Sequence, residues 1–180
     1  MLNEIDRVKQ QAVLLHDQQE VEMALDNMAA AISARLADKN PLVLCVINGG
    51  IIATGKLLPR LDFPLTLDSL HASRYRNATS GSELHWLFTP TTPLAGRHVL
   101  VVDDILDEGH TLKAIVDWCQ EQGATAVHTA VLLDKKTGCD KPIQADFVGL
   151  RVANHYLFGY GMDYKGYLRN AAGIYACKES

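Results

Sequence analysis

Residues 99–112 read VLVVDDILDEGHTL, and the fold follows from them. The run opens in residues 98–102, an apolar and β-branched segment suited to a buried strand. Two adjacent carboxylates follow, Asp103 and Asp104, then Ile105 and Leu106, then the polar turn Asp107, Glu108, Gly109, His110, Thr111. Beyond it Leu112, Ile115, Val116 and Cys119 fall on one side of a helix. A strand that turns into a helix start aims unpaired backbone N–H groups and a positive dipole end at one spot, which suits a phosphate. Gly109 lets the backbone bend and approach a ligand closely, and Thr111 adds a hydroxyl. Asp103 and Asp104 stand at the carboxyl end of the strand, where open α/β sheets bind ligands. The plainer reading is turn chemistry, with Asp107 as a helix N-cap.

Outward from this stretch, the chain alternates apolar runs with helical patterns. Residues 42–47, LVLCVI, form a continuous apolar run between Pro41 and Asn48-Gly49-Gly50, as in a buried parallel strand. A short helical stretch over 51–58 follows, stopped by Pro59, so the Asn-Gly-Gly turn is either a second anion site or an ordinary connection. Residues 64–70 and 84–88 read as strands. The polar segment 71–82, HASRYRNATSGS, lies between them as a long hairpin loop or a lid. Residues 125–133 predict a further strand, followed by Asp134, Lys135 and Lys136 in what is commonly a solvated turn. Residues 146–149 and 174–177 read as short strands. Residues 1–38 read as helix, with Val21, Leu25, Met28, Ile32 and Leu36 on one face and Asp17 and Glu20 spaced as a capping box. Its apolar face must pack on something, within the chain or in a homo-oligomer. Together these predict one α/β domain over 1–180 with a mainly parallel sheet.

Composition narrows the function. The 180 residues are 48% hydrophobic with a net charge of −4, enough for one sizeable core and unsuited to nucleic acid or anionic membrane as a bulk partner. No apolar run approaches the roughly 20 residues that span a bilayer, and the charged, amphipathic start is not a signal peptide. Cys45, Cys119, Cys139 and Cys177 are scattered with no C-x-x-C pair, as expected of buried reduced thiols in a cytoplasmic protein. Dinucleotide and P-loop glycine motifs are absent from the sequence.

The central stretch resembles the phosphoribosyl-pyrophosphate (PRPP) signature of type I phosphoribosyltransferases: four apolar residues, two acids, two apolar residues, then Asp, x, Gly, x, Thr. The aromatic and glycine-rich run from His155 and Tyr156 to Asp163-Tyr164, ending in Arg169, is similar to the purine-binding end of the hypoxanthine-guanine group. This resemblance implies a Rossmann-like mainly parallel sheet flanked by helices, with a small hood and an N-terminal helical extension. It implies transfer of 5-phosphoribose from PRPP to hypoxanthine or guanine with Mg²⁺ present. Asp103 and Asp104 would then hold the ribose hydroxyls and, with Asp163, the metal. Asp107, Glu108, Gly109, His110 and Thr111 would cradle the 5-phosphate, with Asp107 also exchanging a proton at the purine ring. Asn48, Gly49 and Arg169 would meet pyrophosphate. Lys135 would meet the oxygen at purine C6, Tyr156 would stack on the base, and the Leu157 backbone would face the purine edge, with Asp163 beside it. Ser73, Arg74 and Tyr75 would belong to a closing loop over 71–82.

Three positions depart from the family pattern. Asn48 stands where many members carry Lys, Arg74 separates Ser73 from Tyr75, and Glu108 stands where Thr is common. The Glu108 side chain is expected to point away from a phosphate while its N–H still binds, and His110 is expected to be solvated. Two other functions stay open from sequence alone. One is preference for xanthine or another base; the other is a PRPP-responsive regulator that binds nucleic acid, which the acidic balance disfavours. A homo-oligomer, dimer or tetramer, is expected.

Overall fold

A computed structural model describes residues 1–74 and 84–178. Six strands build the central sheet: β2 (Leu42–Val46), β3 (Thr66–Arg74), β4 (Leu84–Phe88), β5 (His98–Leu106), β6 (Ala126–Lys136) and β7 (Phe147–Ala153). Their order is β4-β3-β2-β5-β6-β7, with every pair parallel except the antiparallel β3–β4 pair at the edge. The mainly parallel sheet expected from the apolar runs is therefore present.

Alternation along these strands divides the core into two layers. Val43, Leu100, Val102, Ala130 and Leu132 face one side, where α2 (Gln18–Leu36) and α3 (Gly50–Leu57) cover them. Leu42, Leu44, Val99, Val101 and Val131 face the other, against Leu112, Ile115 and Cys119 of α4 (His110–Glu121). The α2 face predicted from its spacing is buried through Val21, Leu25, Met28, Ile32 and Leu36. Each such side chain contributes about 1.5–3 kcal/mol of burial. This face is covered by the chain's own sheet, so it gives no reason to expect association. The capping box at Asp17 is formed: Glu20 N–H donates to the Asp17 carboxylate at 2.9 Å, and Asp17 N–H donates to Glu20 at 3.0 Å.

The predicted continuous N-terminal helix is broken. Helix α1 (Leu2–Gln11) ends at Ala12, and β1 (Val13–Asp17) intervenes before α2. Residues 13–15 are Val-Leu-Leu, which fit a strand as well as a helix. Pairing with β9 (Gly173–Ala176) decides the matter, an instance of tertiary context overriding local preference. A second sheet results, β1-β9-β8, with β8 at Leu157–Phe158. The small hood expected from the resemblance is thus built from both ends of the chain.

Other boundaries also move. β3 extends through Arg74, so residues 71–74 belong to a strand and pair with β4, not to a loop. Tyr75 and the remainder of the expected lid to residue 82 lie outside the described residues. β5 and β6 continue past their apolar runs, in register to Leu106↔Asp134, because each neighbour prolongs the other's ladder. A helix is absent between β6 and β7; residues 137–146 make that crossover as irregular chain. All four cysteines are free, but only Cys45 and Cys119 are buried; Cys139 is exposed and Cys177 is intermediate. Burial alone pushes the Cys119 thiol up to about 12.

Candidate active site

The carboxyl ends of β2, β5 and β6 open into one cavity of about 880 Å³. Its walls include Gly49, Asp103, Asp104, residues 107–111, Lys135, Tyr156, Leu157, Asp163 and Arg169. Parts of the chain more than 100 residues apart in sequence thus meet in a single cleft. Asn48 does not line it. That residue is exposed at the crest of the loop, after a cis Ile47–Asn48 peptide bond, and the loop reaches the cavity through Gly49 instead. The structure therefore does not support a side-chain role for Asn48 at this cavity.

The anion-binding turn has the predicted form with a different cap. Gly109, not Asp107, is the N-cap of α4; its φ of +85° is a left-handed conformation that glycine adopts without strain. Asp107, Glu108 and His110 are exposed around it. No side chain caps this helix start, which leaves its first-turn N–H groups for a ligand.

Asp103 and Asp104 sit at the floor. The Asp104 N–H donates to Asp103 Oδ1 at 2.8 Å. Burial, with the negative charge of Asp104 added, pushes the Asp103 carboxyl well above its ordinary range; burial also raises Asp104. Neither has an ion-pair partner among the described residues, so a bound cation or hydroxyl-rich ligand would relieve a real electrostatic cost. A side chain at Gly49 would fall on the Asp104 carboxylate, and one at Gly161, where φ is +109°, would fall on the Gly49 carbonyl oxygen. Three strands of chain are stacked here with no room for a Cβ.

The opposite wall carries the cations and aromatic rings. Arg169 donates from Nη1 to the Gly161 carbonyl at 2.6 Å and pairs through Nη2 with Asp163 Oδ1 at 2.8 Å. Gly166 N–H holds the other Asp163 oxygen at 2.7 Å. The Lys135 side chain is only 12% exposed, and its Nζ pairs with Asp107 Oδ2 at 2.8 Å. The Tyr156 ring is 54% exposed and meets Tyr164 edge-on, with ring centroids 5.6 Å apart. A half-exposed ring that lines one cavity with Lys135 and Leu157 can stack on a planar base. Among the described residues, no three acidic, histidine or cysteine side chains converge as a self-contained metal site.

The phosphoribosyl transferase domain model matches residues 13–165. The hypoxanthine-guanine phosphoribosyltransferase of Streptococcus pneumoniae is 34% identical over 178 residues, 98% of this chain and 96% of that protein. The chain belongs to the hypoxanthine-guanine phosphoribosyltransferase family. The hypoxanthine-guanine-xanthine enzyme of Tritrichomonas foetus is 33% identical over 183 residues, covering 100% of this chain and 96% of its own. A solved hypoxanthine-guanine-xanthine phosphoribosyltransferase superposes with a TM-score of 0.83 at 31% identity, over 93% of this chain and 97% of that one.

Within this phosphoribosyltransferase fold, two contributions were invisible in the sequence. Both come from the N-terminal segment, which had shown only an apolar face. Glu22 of α2 accepts from Lys56 Nζ at 2.7 Å, Arg60 Nη2 at 2.6 Å and the Tyr160 hydroxyl at 3.1 Å. Tyr160 has a left-handed φ of +47° and is buried between Leu157 and Asp163, so Glu22 helps hold that loop in shape. Glu4 of α1 accepts from the Tyr164 hydroxyl at 3.2 Å and from Lys165 Nζ at 2.7 Å. No spacing rule links residues this far apart.

Glu22 also predicts a pH dependence. The Lys56 bond, against a burial cost, holds its carboxyl below the ordinary value of 4.5. A depressed carboxyl stabilises the fold above the unfolded value and loses that contribution as pH falls through the folded one. Glu22→Ala is expected to lower the melting temperature at neutral pH by about 2–6 °C. The gap from wild type should close as pH drops below 4.5; thermal melts from pH 7 to 3 check this.

Proposed function

We propose that this chain transfers the 5-phosphoribosyl group of PRPP to N9 of hypoxanthine or guanine, giving IMP or GMP and pyrophosphate, as a cytoplasmic purine salvage enzyme. One observation carries the reading: a single cavity joins the Gly109-capped turn and the acidic pair to Lys135, Tyr156 and Leu157. A phosphate, a ribose and a planar base can be held there side by side.

In this reading the N–H groups of residues 108–111 and the Thr111 hydroxyl cradle the 5-phosphate. Asp103 and Asp104 accept from the ribose hydroxyls. Gly49 offers backbone to pyrophosphate, with Arg169 nearby. The base stacks on Tyr156 while Lys135 donates to its C6 oxygen. The Lys135 ammonium has three donors, so it can keep Asp107 and still meet the carbonyl. Asp107 then lies where it can take the proton that the five-membered ring must lose as N9 bonds to ribose. Departure of pyrophosphate leaves positive charge on the ribose, and rate comes chiefly from alignment and electrostatics.

The donor set fits magnesium. Carboxylates that leave room for waters and substrate oxygens suit a cation that keeps much of its hydration, and this explains why the protein needs no closed metal cage. Asp163 would hold one ion, and Asp103 with Asp104 a second; bound Mg²⁺ supplies neutralisation of the leaving pyrophosphate.

The test is a spectrophotometric screen of hypoxanthine, guanine, xanthine and adenine with PRPP and Mg²⁺. Lys has no acceptor for the amino group at C6 of adenine, so adenine should turn over at least about 100-fold more slowly than hypoxanthine. Adenine used as well as hypoxanthine would remove Lys135 from its role. The xanthine arm matters because the similarity to the Tritrichomonas foetus enzyme spans the full chain.

A further inference from the structure

Residues 137–146 cross from β6 to β7 without a helix, and Lys141 within them reaches back under the active site. Its side chain is 13% exposed. Its ammonium donates to the Leu106 carbonyl at 2.8 Å, the Lys135 carbonyl at 2.6 Å and Asp134 Oδ1 at 2.7 Å. An ammonium has three donors, and all three are used. Leu106 is the last residue of β5, and its carbonyl belongs to the peptide that carries Asp107. Lys135 is the residue that Asp107 pairs with across the gap. The β5–β6 ladder ends at Leu106↔Asp134, so beyond it no strand bonding fixes the two chains.

We propose that Lys141 is a positioning residue for base recognition: it clamps the tips of β5 and β6 so that Asp107 and Lys135 converge on one purine. This rests on the function proposed above. Lys141 does not line the reaction cavity and touches no substrate. It lines a second cavity of about 490 Å³ on the far side of Leu106 and Lys135, with Asp134, Ile143 and Arg151. Arg151 Nε stands 3.6 Å from Asp134 Oδ2 on a side chain that is 65% exposed, whereas the two carbonyls are bonded by Lys141. Loss of the ammonium would take a donor from two carbonyls and from Asp134 Oδ1, leaving Arg151 as the remaining cation at that carboxylate.

The clamp predicts an asymmetric effect. The phosphate-binding turn is also secured by α4, where Lys113 N–H donates to the Gly109 carbonyl at 2.9 Å. Lys135 is held on its other side by the β6–β7 register at Lys135↔Val152, and toward β5 it is held by Lys141. Lys141→Ala should raise KM for hypoxanthine by about tenfold or more and leave KM for PRPP within about threefold. The second cavity gives the deleted ammonium a route back. Propylammonium should restore base affinity in Lys141→Ala saturably and leave wild type unaffected, and Lys141→Arg should recover part of it. If Lys141→Ala does not fold, Lys141→Met keeps the stem, lacks the donors and takes the same kinetics. An unchanged KM for hypoxanthine, or equal losses for both substrates with no rescue by amine or Arg, overturns the clamp. Wild type is the control for the underlying reading: if it fails to use any 6-oxopurine, that reading fails, whereas active wild type with unaltered variants rejects Lys141 alone.

Discussion

Asp107→Asn is expected to lower kcat with hypoxanthine by at least about tenfold, general acid–base assistance being typically worth about 10²–10⁴-fold, while KM for PRPP changes little. The substitution keeps size and one acceptor oxygen and removes the proton-accepting charge. Asp107 stands at the mouth of the phosphate turn, half exposed, with Lys135 on Oδ2 at 2.8 Å. Two roles are therefore separable. Were the residue only a cap or a phosphate contact, the loss would appear in PRPP affinity and vanish at saturation, as uniform binding energy does. The helix cap is already supplied by Gly109, which argues against that alternative. Steady-state kinetics decide, with single-turnover runs in case product release hides the chemical step. A change confined to PRPP affinity would end the catalytic assignment.

Gly161→Ala should be nearly as damaging although no reacting group is altered. At φ +109° a Cβ is strained, and the position it would take is filled by the Gly49 carbonyl oxygen, with Asp104 beside it. The Gly49 loop or the Gly161 loop must move, and either shift displaces the pyrophosphate side of the cavity from the ribose side. Misplacement of about 1 Å can cost about 10²-fold, so kcat/KM should fall by roughly that factor. Gly138→Ala supplies the control. It also has a left-handed φ, +81°, but open space around it, so it should carry the strain without the collision and keep most activity. Equal losses in the two variants would mean that backbone strain, not the close stacking at Gly49, is what matters.

Much of this site was legible in residues 99–112 because its chemistry is local. A strand, a turn with Gly109 and a helix start fix where the N–H groups point, whatever the rest of the chain does. The continuous apolar runs at residues 42–47 and 99–102 were legible for the same reason: a strand buried on both faces disfavours polar residues there. Lengths were less readable. β5 and β6 run on through Asp103, Asp104 and Asp134 because each supplies the other's hydrogen bonds, and β6 continues through Lys135 on β7, pairings that no one-dimensional pattern displays. Asn48 is exposed on a loop whose backbone presents Gly49 to the cavity, an orientation that residue type alone does not display.

The sequence by itself determined the α/β class, the parallel strands, the strand-to-helix turn at Gly109 and the family. These depend on periodicity and on contiguous residues, where backbone geometry leaves few alternatives. Only the tertiary structure decided that residues 13–17 form a strand, since their partner β9 lies at the other end of the chain. It alone brought Glu22 to Tyr160, Glu4 to Tyr164, and Lys141 to the peptides that carry Asp107 and Lys135. Such contacts are hydrogen bonds between a charged side chain and a tyrosine hydroxyl or a backbone carbonyl. Their strength comes from burial and fixed distance, and neither exists until the chain has closed on itself.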